Sequence, residues 1–257
     1  FAFNMEGKHF LSSLAATAWG GGYLWLKNKD LKHAPYTVGT FFAGKLMYDL
    51  IYTWKLVPPA CIDWYFAEMA TAFCEGRIAM GFNCDGMIAD CESPETSKVI
   101  GKWDGSAWPQ VFPGKSSYVW GEGWAMFVPA TTPPEKQDAA KALAAYICIP
   151  EKSPELMLEG YNFEPPMISD MADPRVLAKY PWMPDLKKQY EAYMVPMRWL
   201  GEELEAVKYS PDLALSDILH RKDTIRNILN EWNKEYEAIG APVYKEDVKP
   251  ADIAKLY

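Results

Sequence analysis

The feature that most constrains the fold is the succession of a helical pattern, a strand and a polar turn over residues 63–86. Apolar side chains recur at helical spacing from residue 63 to residue 75, and Gly76 follows, where helices commonly end in a left-handed glycine. Residues 77–82 then predict a short buried strand, and residues 83–86 predict a polar turn. The chain is therefore expected to pass from a helix into a strand that ends in polar side chains.

Two further segments carry clear helical signals. Residues 40–54 have apolar side chains at helical spacing, and the pattern stops at the breaker LVPP. The run Thr132-Pro133-Pro134-Glu135 has the spacing of a capping box with proline at the first helical position. A helix is therefore expected to begin near Pro133.

The last third of the chain predicts irregular structure and then a long helix. Residues 161–196 are rich in proline and aromatic residues, which favours loops with short helices. Ser210 and Pro211 have the order of an N-cap and a first helical residue. We expect one continuous helix from there, with an apolar face that runs through Ile218 and Trp232 and an end at Gly240.

Composition and charge exclude several classes of function. The 257 residues contain no run of 18 apolar residues, so no segment is expected to span a membrane. A net charge of -8 without a basic stripe argues against nucleic-acid binding. No GxSxG, HExxH, P-loop or GxGxxG motif occurs, and the sequence implies no cofactor. No targeting segment precedes Phe1, so any such segment is expected to lie outside this sequence.

The five cysteines leave two interpretations open. They form no CxxC pair, and with three histidines in the chain a structural zinc site is not expected. Cys84 and Cys91 are close enough in sequence to form a small disulfide if the protein is exported. Otherwise the cysteines are buried free thiols.

Aromatic residues beside glycines suggest a surface for flat ligands. The chain has 11 Trp, 15 Tyr and 11 Phe, and many of these are expected in the core. However, the segments WGGGYLW (residues 19–25), KWDGSAW (residues 102–108) and VWGEGW (residues 119–124) are too irregular for helix interiors. Aromatic rings held beside bare backbone suit sugars, which have apolar faces and hydroxyl rims.

The order of these signals resembles the family 1 extracellular solute-binding proteins, which deliver sugars to ABC importers. KLMYDLIYTWKLVPP resembles the family's helix and exit turn, and FCEGRIAM fits its pattern F-x-x-G-[KR]-x-A-M. SSYVWGEGWAMFVPATTPPEKQDAAKALAAYI resembles its glycine-tryptophan strand, turn and alanine-rich helix. MVPMRWLGEELEAVKYSPDLALSDILHRKDTIRNIL resembles its terminal helices. Together these stretches cover most of the chain.

The resemblance implies a helix-rich α/β fold of the type II periplasmic binding proteins, with two lobes around a cleft. Residues 1–130 would form the α/β core of the second lobe with its cleft strands. Residues 131–257 would form a helical and loop-rich region that partly returns to the first lobe. Family members are typically longer, and their first third builds most of one lobe, so the first lobe is expected to be incomplete here.

The resemblance also implies which residues line the cleft, because the turn after the F-x-x-G-[KR]-x-A-M strand faces the ligand in these receptors. An open α/β sheet likewise places ligands beyond the carboxyl ends of its strands. The expected ligand-binding residues are Trp19, Gly21, Tyr23, Asn83, Asp85, Trp120, Glu122, Gly123, Trp124, Phe163 and Arg198.

Each expected role has a structural alternative. Trp19 and Trp124 are candidates for stacking on a sugar, or they are core residues with a bonded indole N–H. Asp85 and Glu122 are candidate acceptors for sugar hydroxyls, or solvated carboxylates. The donor fork of Arg198 suits hydroxyl pairs or a carboxylate, or it pairs with Glu202 one helical turn later.

Three classes of function follow, and the sequence leaves the choice open. The resemblance favours a monomeric receptor, periplasmic or extracellular, that binds a sugar or polyol and docks on the permease subunits of its transporter. A glycoside hydrolase would need a pair of carboxyl groups about 5 to 10 Å apart, and no such pair stands out. A stand-alone carbohydrate-binding module is the third alternative. Turnover separates the enzyme from the receptor.

Overall fold

The computed structural model describes residues 2–3, 33–82, 86–106, 119–121, 127–147, 149–159, 168–196, 211–241 and 243–254. The strands are β1 (Ala2–Phe3), β2 (His33–Tyr36), β3 (Gly81–Phe82), β4 (Val119–Gly121), β5 (Met194–Pro196) and β6 (Val243–Lys245). The helices are α1 (Val38–Tyr48), α2 (Phe66–Cys74), α3 (Met87–Glu92), α4 (Pro134–Ile147), α5 (Ser153–Glu159), α6 (Pro174–Lys179), α7 (Met183–Tyr193), α8 (Pro211–Leu219), α9 (Ile225–Ala238) and α10 (Pro250–Ala254). A π-helical turn spans Asp49–Thr53, and 3-10 turns span Pro59–Asp63 and Ile168–Ala172.

The described strands form three parallel pairs. β1 pairs with β3, β2 with β6, and β4 with β5. Parallel pairing needs a crossover connection, so each pair joins segments that are far apart in sequence. Helices are interleaved with these strands along the chain, as in α/β folds.

The main core lies where α1 packs against α8 and α9. Its buried side chains come from residues 36–62 and from residues 214–248, and they include Met47, Ile218, Leu229 and Trp232. Burial of each of these side chains contributes about 1.5–3 kcal/mol. The C-terminal segment also closes the start of α1, because the Glu246 carboxylate accepts a hydrogen bond of 2.8 Å from Val38 N.

A second core forms beneath the short helices α3, α5, α6 and α7. Its fully buried side chains are Met157, Val176 and Met183, and the ring of Tyr180 packs beside them. Both cores therefore combine segments from before and after residue 130. The division of the chain at that residue stays a prediction.

Most of the predicted elements are present. The predicted helix over residues 40–54 corresponds to α1 and its π-helical turn, and a helix begins at Pro134 as expected. Gly76 follows α2 with a φ of 72°, which confirms the left-handed stop. The strand predicted over residues 77–82 is only two residues long, Gly81–Phe82, and both are half-buried. The described part of residues 161–196 contains short helices, as predicted.

The single long helix predicted after Pro211 is wrong, because the chain breaks between α8 and α9. Arg221 adopts a left-handed conformation with a φ of 57°, and the hydroxyl of Thr224 accepts a hydrogen bond from Asn227 N to start a new helix. Tertiary contacts hold the break. The guanidinium of Arg221 lies 3.6 Å from the ring centre of Tyr52.

Candidate functional site

Of the eleven predicted ligand-binding residues, only Trp120 belongs to a described element, the strand β4. The other ten lie outside the described residues: Trp19, Gly21, Tyr23, Asn83, Asp85, Glu122, Gly123, Trp124, Phe163 and Arg198. The structure does place the strands β3, β4 and β5, and several of the predicted residues come directly after these strands in the sequence.

The pairing of β4 with β5 joins two of the predicted site segments. Val119 is in register with Met194, Trp120 with Val195, and Gly121 with Pro196. Because the strands are parallel, their carboxyl ends lie at the same edge. The chain leaves this edge toward Glu122 on one strand and toward Arg198 on the other. The VWGEGW and MVPMR segments are 70 or more residues apart in sequence, and their strands are direct neighbours.

β3 reaches a second edge of the same kind. Phe3 of β1 is in register with Phe82 of β3, and the chain continues from Phe82 toward Asn83 and Asp85. The Phe82 side chain packs against the main core. Packing of Phe82 on the core therefore holds the end of β3 in place. The polar turn that is predicted to face a ligand comes directly after this strand in the sequence.

A concave surface in the described part of the chain lies elsewhere, beside the exit turn of α1. It has a volume of about 540 Å³, and its walls include Leu56 and Pro58 together with the cationic Lys55 and Arg221. The face of Tyr52 there is already covered by the Arg221 guanidinium, and its hydroxyl donates to the Leu219 carbonyl oxygen at 2.6 Å. This surface therefore does not offer a free aromatic platform for a sugar.

A smaller depression of about 220 Å³ lies beside α2, and its walls include Trp64, Glu68, Thr71 and Arg77. An indole, a carboxylate, a hydroxyl and a guanidinium are groups that bind sugars, and the sequence analysis did not select them. The available signal was the spacing of Trp64, Glu68 and Thr71, which are four and three residues apart. However, the volume is below the range of about 300–1,000 Å³ typical of small-molecule pockets. Glu68 also accepts a hydrogen bond from Tyr65 N.

The titration behaviour of the described carboxyl groups bears on acid–base chemistry. A general acid at neutral pH needs a carboxyl group with a raised pKa. Two carboxyl groups of the described residues, Asp173 and Glu155, have lowered pKa values. A hydrogen bond from Arg175 lowers the pKa of Asp173 to about 2, and a hydrogen bond from Lys152 lowers that of Glu155. Asp173 is the N-cap of α6, which is a structural role.

Neither a metal site nor a membrane span is found among the described residues. Their His, Cys, Asp and Glu side chains form no cluster of three that could hold a metal ion. Their helices are also too short or too polar to cross a bilayer.

The comparison with family models gives the class of protein. Residues 7–185, more than half of the chain, match the model described as bacterial extracellular solute-binding protein. The chain therefore belongs to the bacterial extracellular solute-binding proteins, which confirms the resemblance seen in its motifs. The members of this family are binding proteins. No curated protein is a significant match.

Solved structures of this class share the fold. A solute-binding protein of an ABC transporter from Agrobacterium radiobacter K84, in complex with ribitol, has a TM-score of 0.73 and 20% identity, and the match covers 93% of this chain and 59% of that protein. Maltose-bound MalE3 from T. maritima has a TM-score of 0.79 and 19% identity, with coverage of 93% and 60%. The chain thus spans about three fifths of the length of these proteins. The predicted periplasmic-binding-protein-like α/β fold is confirmed.

Proposed function

We propose that this chain is part of the substrate-binding receptor of an ABC importer and that it binds a neutral sugar, oligosaccharide or polyol. The observation that carries the proposal is the parallel β4–β5 edge, from which the chain continues to Glu122 and to Arg198. Family membership and the fold support it, because two proteins of the same fold were solved with ribitol and with maltose. The net charge of -8 favours a neutral ligand over an anion.

The proposed site has an aromatic side and a polar side. Trp120 and Trp124 flank Glu122 and Gly123, so this segment supplies ring faces and a carboxylate acceptor. Arg198, which follows the neighbouring strand β5 (Met194–Pro196) in sequence, supplies a planar set of N–H donors for paired hydroxyls. Asn83 and Asp85 contribute from the β3 edge, and the remaining candidates complete the walls: Trp19, Gly21, Tyr23 and Phe163.

The mechanism involves no covalent chemistry. A receptor of this type has an open and a closed form, and a ligand shifts the population toward the closed form only if it binds that form more tightly. Contacts that two lobes make to one sugar provide this difference. The closed shape then docks on the permease subunits. A monomer in the periplasm or at the cell surface, held at the membrane through its transporter, fits this role.

Titration calorimetry with ribitol and maltose tests the proposal. It is carried out with these 257 residues and with the polypeptide encoded by the complete gene. We expect saturable binding of at least one of these compounds. If neither polypeptide binds ribitol or maltose, the result would contradict the proposed ligand class.

Matched variants test the site. Trp124→Ala is expected to weaken binding about 10-fold or more, since loss of about 1.4 kcal/mol of stacking corresponds to a factor of ten. Trp54→Ala is the control, because this tryptophan is 43% exposed at the end of the π-helical turn and belongs to none of the proposed site segments. Equal affinities of the two variants would refute the assignment of Trp124 while leaving the receptor function to the calorimetry of the unmodified chain.

A further inference from the structure

Two cysteines that are distant in sequence meet in the interior. Cys74 is the last residue of α2 and Cys91 lies in α3, and their sulfur atoms are 3.8 Å apart. Both side chains are buried, with 2% and 0% exposure. This separation is a van der Waals contact between two thiols, and a modest approach would bring it to the disulfide bond length of about 2.05 Å.

The backbone around both cysteines is held in place. The Cys74 carbonyl oxygen accepts a hydrogen bond of 2.8 Å from Lys98 N, and the end of α2 is closed by the bond from Gly76 N to the Phe73 carbonyl oxygen. On the other helix, Ile88 is buried in the second core. The two sulfurs therefore stay neighbours in the folded protein instead of meeting by chance.

The folded site does not favour thiol reactivity. Burial raises the pKa of both thiols, and the neighbouring Cys74 raises that of Cys91 further. Because the thiolate is the attacking species in disulfide exchange, the buried thiols are expected to react slowly once the site has closed. Oxidation therefore belongs to an earlier stage, when the sulfurs are still accessible.

We propose that Cys74 and Cys91 form a disulfide bond while the chain folds in an oxidising compartment. One cysteine thiolate attacks the disulfide of a dithiol oxidant or of oxidised glutathione, which forms a mixed disulfide and releases one thiol of the oxidant. The second cysteine then attacks the sulfur of the first and releases the other thiol. Two protein thiols become one disulfide, and one oxidant disulfide becomes two thiols. The oxidising compartment rests on the extracellular placement of the family; the pairing rests on the geometry alone.

The disulfide bond would restrain the segment that contains β3. The two cysteines are 17 positions apart, and the segment between them contains β3 and the candidate ligand residues Asn83 and Asp85. Closing this segment restricts the unfolded chain and stabilises the folded state. Cys84 lies in the same segment and is the competing partner for Cys91. It lies outside the described residues. Within the structure Cys91 is a free thiol beside Cys74.

Refolding in glutathione tests the pairing independently of localisation. The reduced, unfolded chain is refolded in a mixture of reduced and oxidised glutathione, denatured, alkylated and digested for mass spectrometry. We expect a cross-linked peptide pair that contains Cys74 and Cys91, while Cys61 is alkylated. A bond between Cys84 and Cys91, or full alkylation of Cys74 and Cys91, would overturn the proposal.

Thermal unfolding provides a second readout. For a disulfide that closes a loop of this length, we expect the thermal unfolding midpoint of the reduced protein to lie about 6–12 °C below that of the oxidised protein. The reduced sample is prepared under unfolding conditions, so that the reductant reaches the buried bond. Cys74→Ser and Cys91→Ser are expected to lose this dependence on reductant. Cys61→Ser, which removes an equally buried thiol, keeps it. If the unmodified protein has the same midpoint with and without reductant, the proposal fails, and this comparison needs none of the variants to fold.

Discussion

The approach of α1 to α8 at Gly44 gives the sharpest test of the main core. Gly44 is buried, and a Cβ atom added there would lie 3.0 Å from Cδ1 of Ile218. The next contacts would be 3.7 Å to Ile225 Cγ2 and 3.9 Å to Ile218 Cγ2, which are ordinary distances. One methyl group of Ile218 therefore decides whether alanine fits at this position.

The free energy of unfolding of each variant depends on helix propensity and on packing, which act in opposite directions at Gly44. Gly44→Ala gains about 1 kcal/mol of helix propensity, and overpacking against Ile218 costs about 1–3 kcal/mol. Ile218→Val alone costs about 0.5–1.5 kcal/mol for the lost methylene. In the double variant the clash disappears and the propensity gain remains, so its stability should lie within about 1 kcal/mol of the original protein. The expected coupling energy is about 1–3 kcal/mol in favour of the double variant.

Urea unfolding followed by far-UV circular dichroism measures the four free energies of this cycle. The control cycle combines Ile218→Val with Gly101→Ala, because a Cβ at Gly101 would meet no atom within 4 Å. The control is expected to be additive. Additivity to within about 0.5 kcal/mol in the Gly44 cycle as well would refute the packing of α1 on α8.

Substitutions at three further positions test the backbone and two ionisable side chains. Gly76→Ala should cost about 1–2 kcal/mol in urea unfolding because the φ of 72° disfavours an L side chain, and Gly76→Asn should cost less; a neutral alanine would contradict the left-handed stop. Burial raises the pKa of Tyr236 to about 12 from 10.0, so stability should fall as pH rises from about 10 toward 12, and Tyr236→Phe should flatten this fall in thermal melts; parallel curves would count against it. The Arg175 hydrogen bond lowers the pKa of Asp173 to about 2 from 3.8, so its stabilisation should be present above pH 3.8 and lost as pH falls toward 2. The stability difference between the original protein and Asp173→Asn should then vanish in that range of an acid titration, and a constant difference would refute the pairing.

Elements with strong local signals were predictable from the sequence. The LVPP breaker, Gly76 and Pro133 mark helix ends through backbone chemistry that needs no distant partner. The structure has a helix boundary close to each of them, and the helix predicted near Pro133 begins at Pro134. The break between α8 and α9 was not predictable in this way. The apolar face continues on both sides of it, and the contact of Arg221 with Tyr52 depends on residues about 170 positions apart.

Pairings across the chain were the other limit of sequence reasoning. The short spacing of Cys84 and Cys91 suggested a disulfide, and that pairing stays a prediction because Cys84 lies outside the described residues. The proximity of Cys74 to Cys91 could not be predicted from spacing, because it depends on how the helices α2 and α3 pack. The site candidates were selected from local glycine and aromatic patterns and from the family resemblance. That the strands carrying VWG and MVP are neighbours required the fold itself, because no local signal specifies which strands pair.

Equilibrium dialysis with radiolabelled ribitol and maltose tests whether the protein is a receptor that binds a sugar or polyol and returns it unchanged. The protein compartment is denatured after equilibration, and the released label is identified by chromatography. We expect that at least one label accumulates with the protein and is recovered as the original compound. Equal distribution of both labels, or recovery of maltose as glucose, would contradict it.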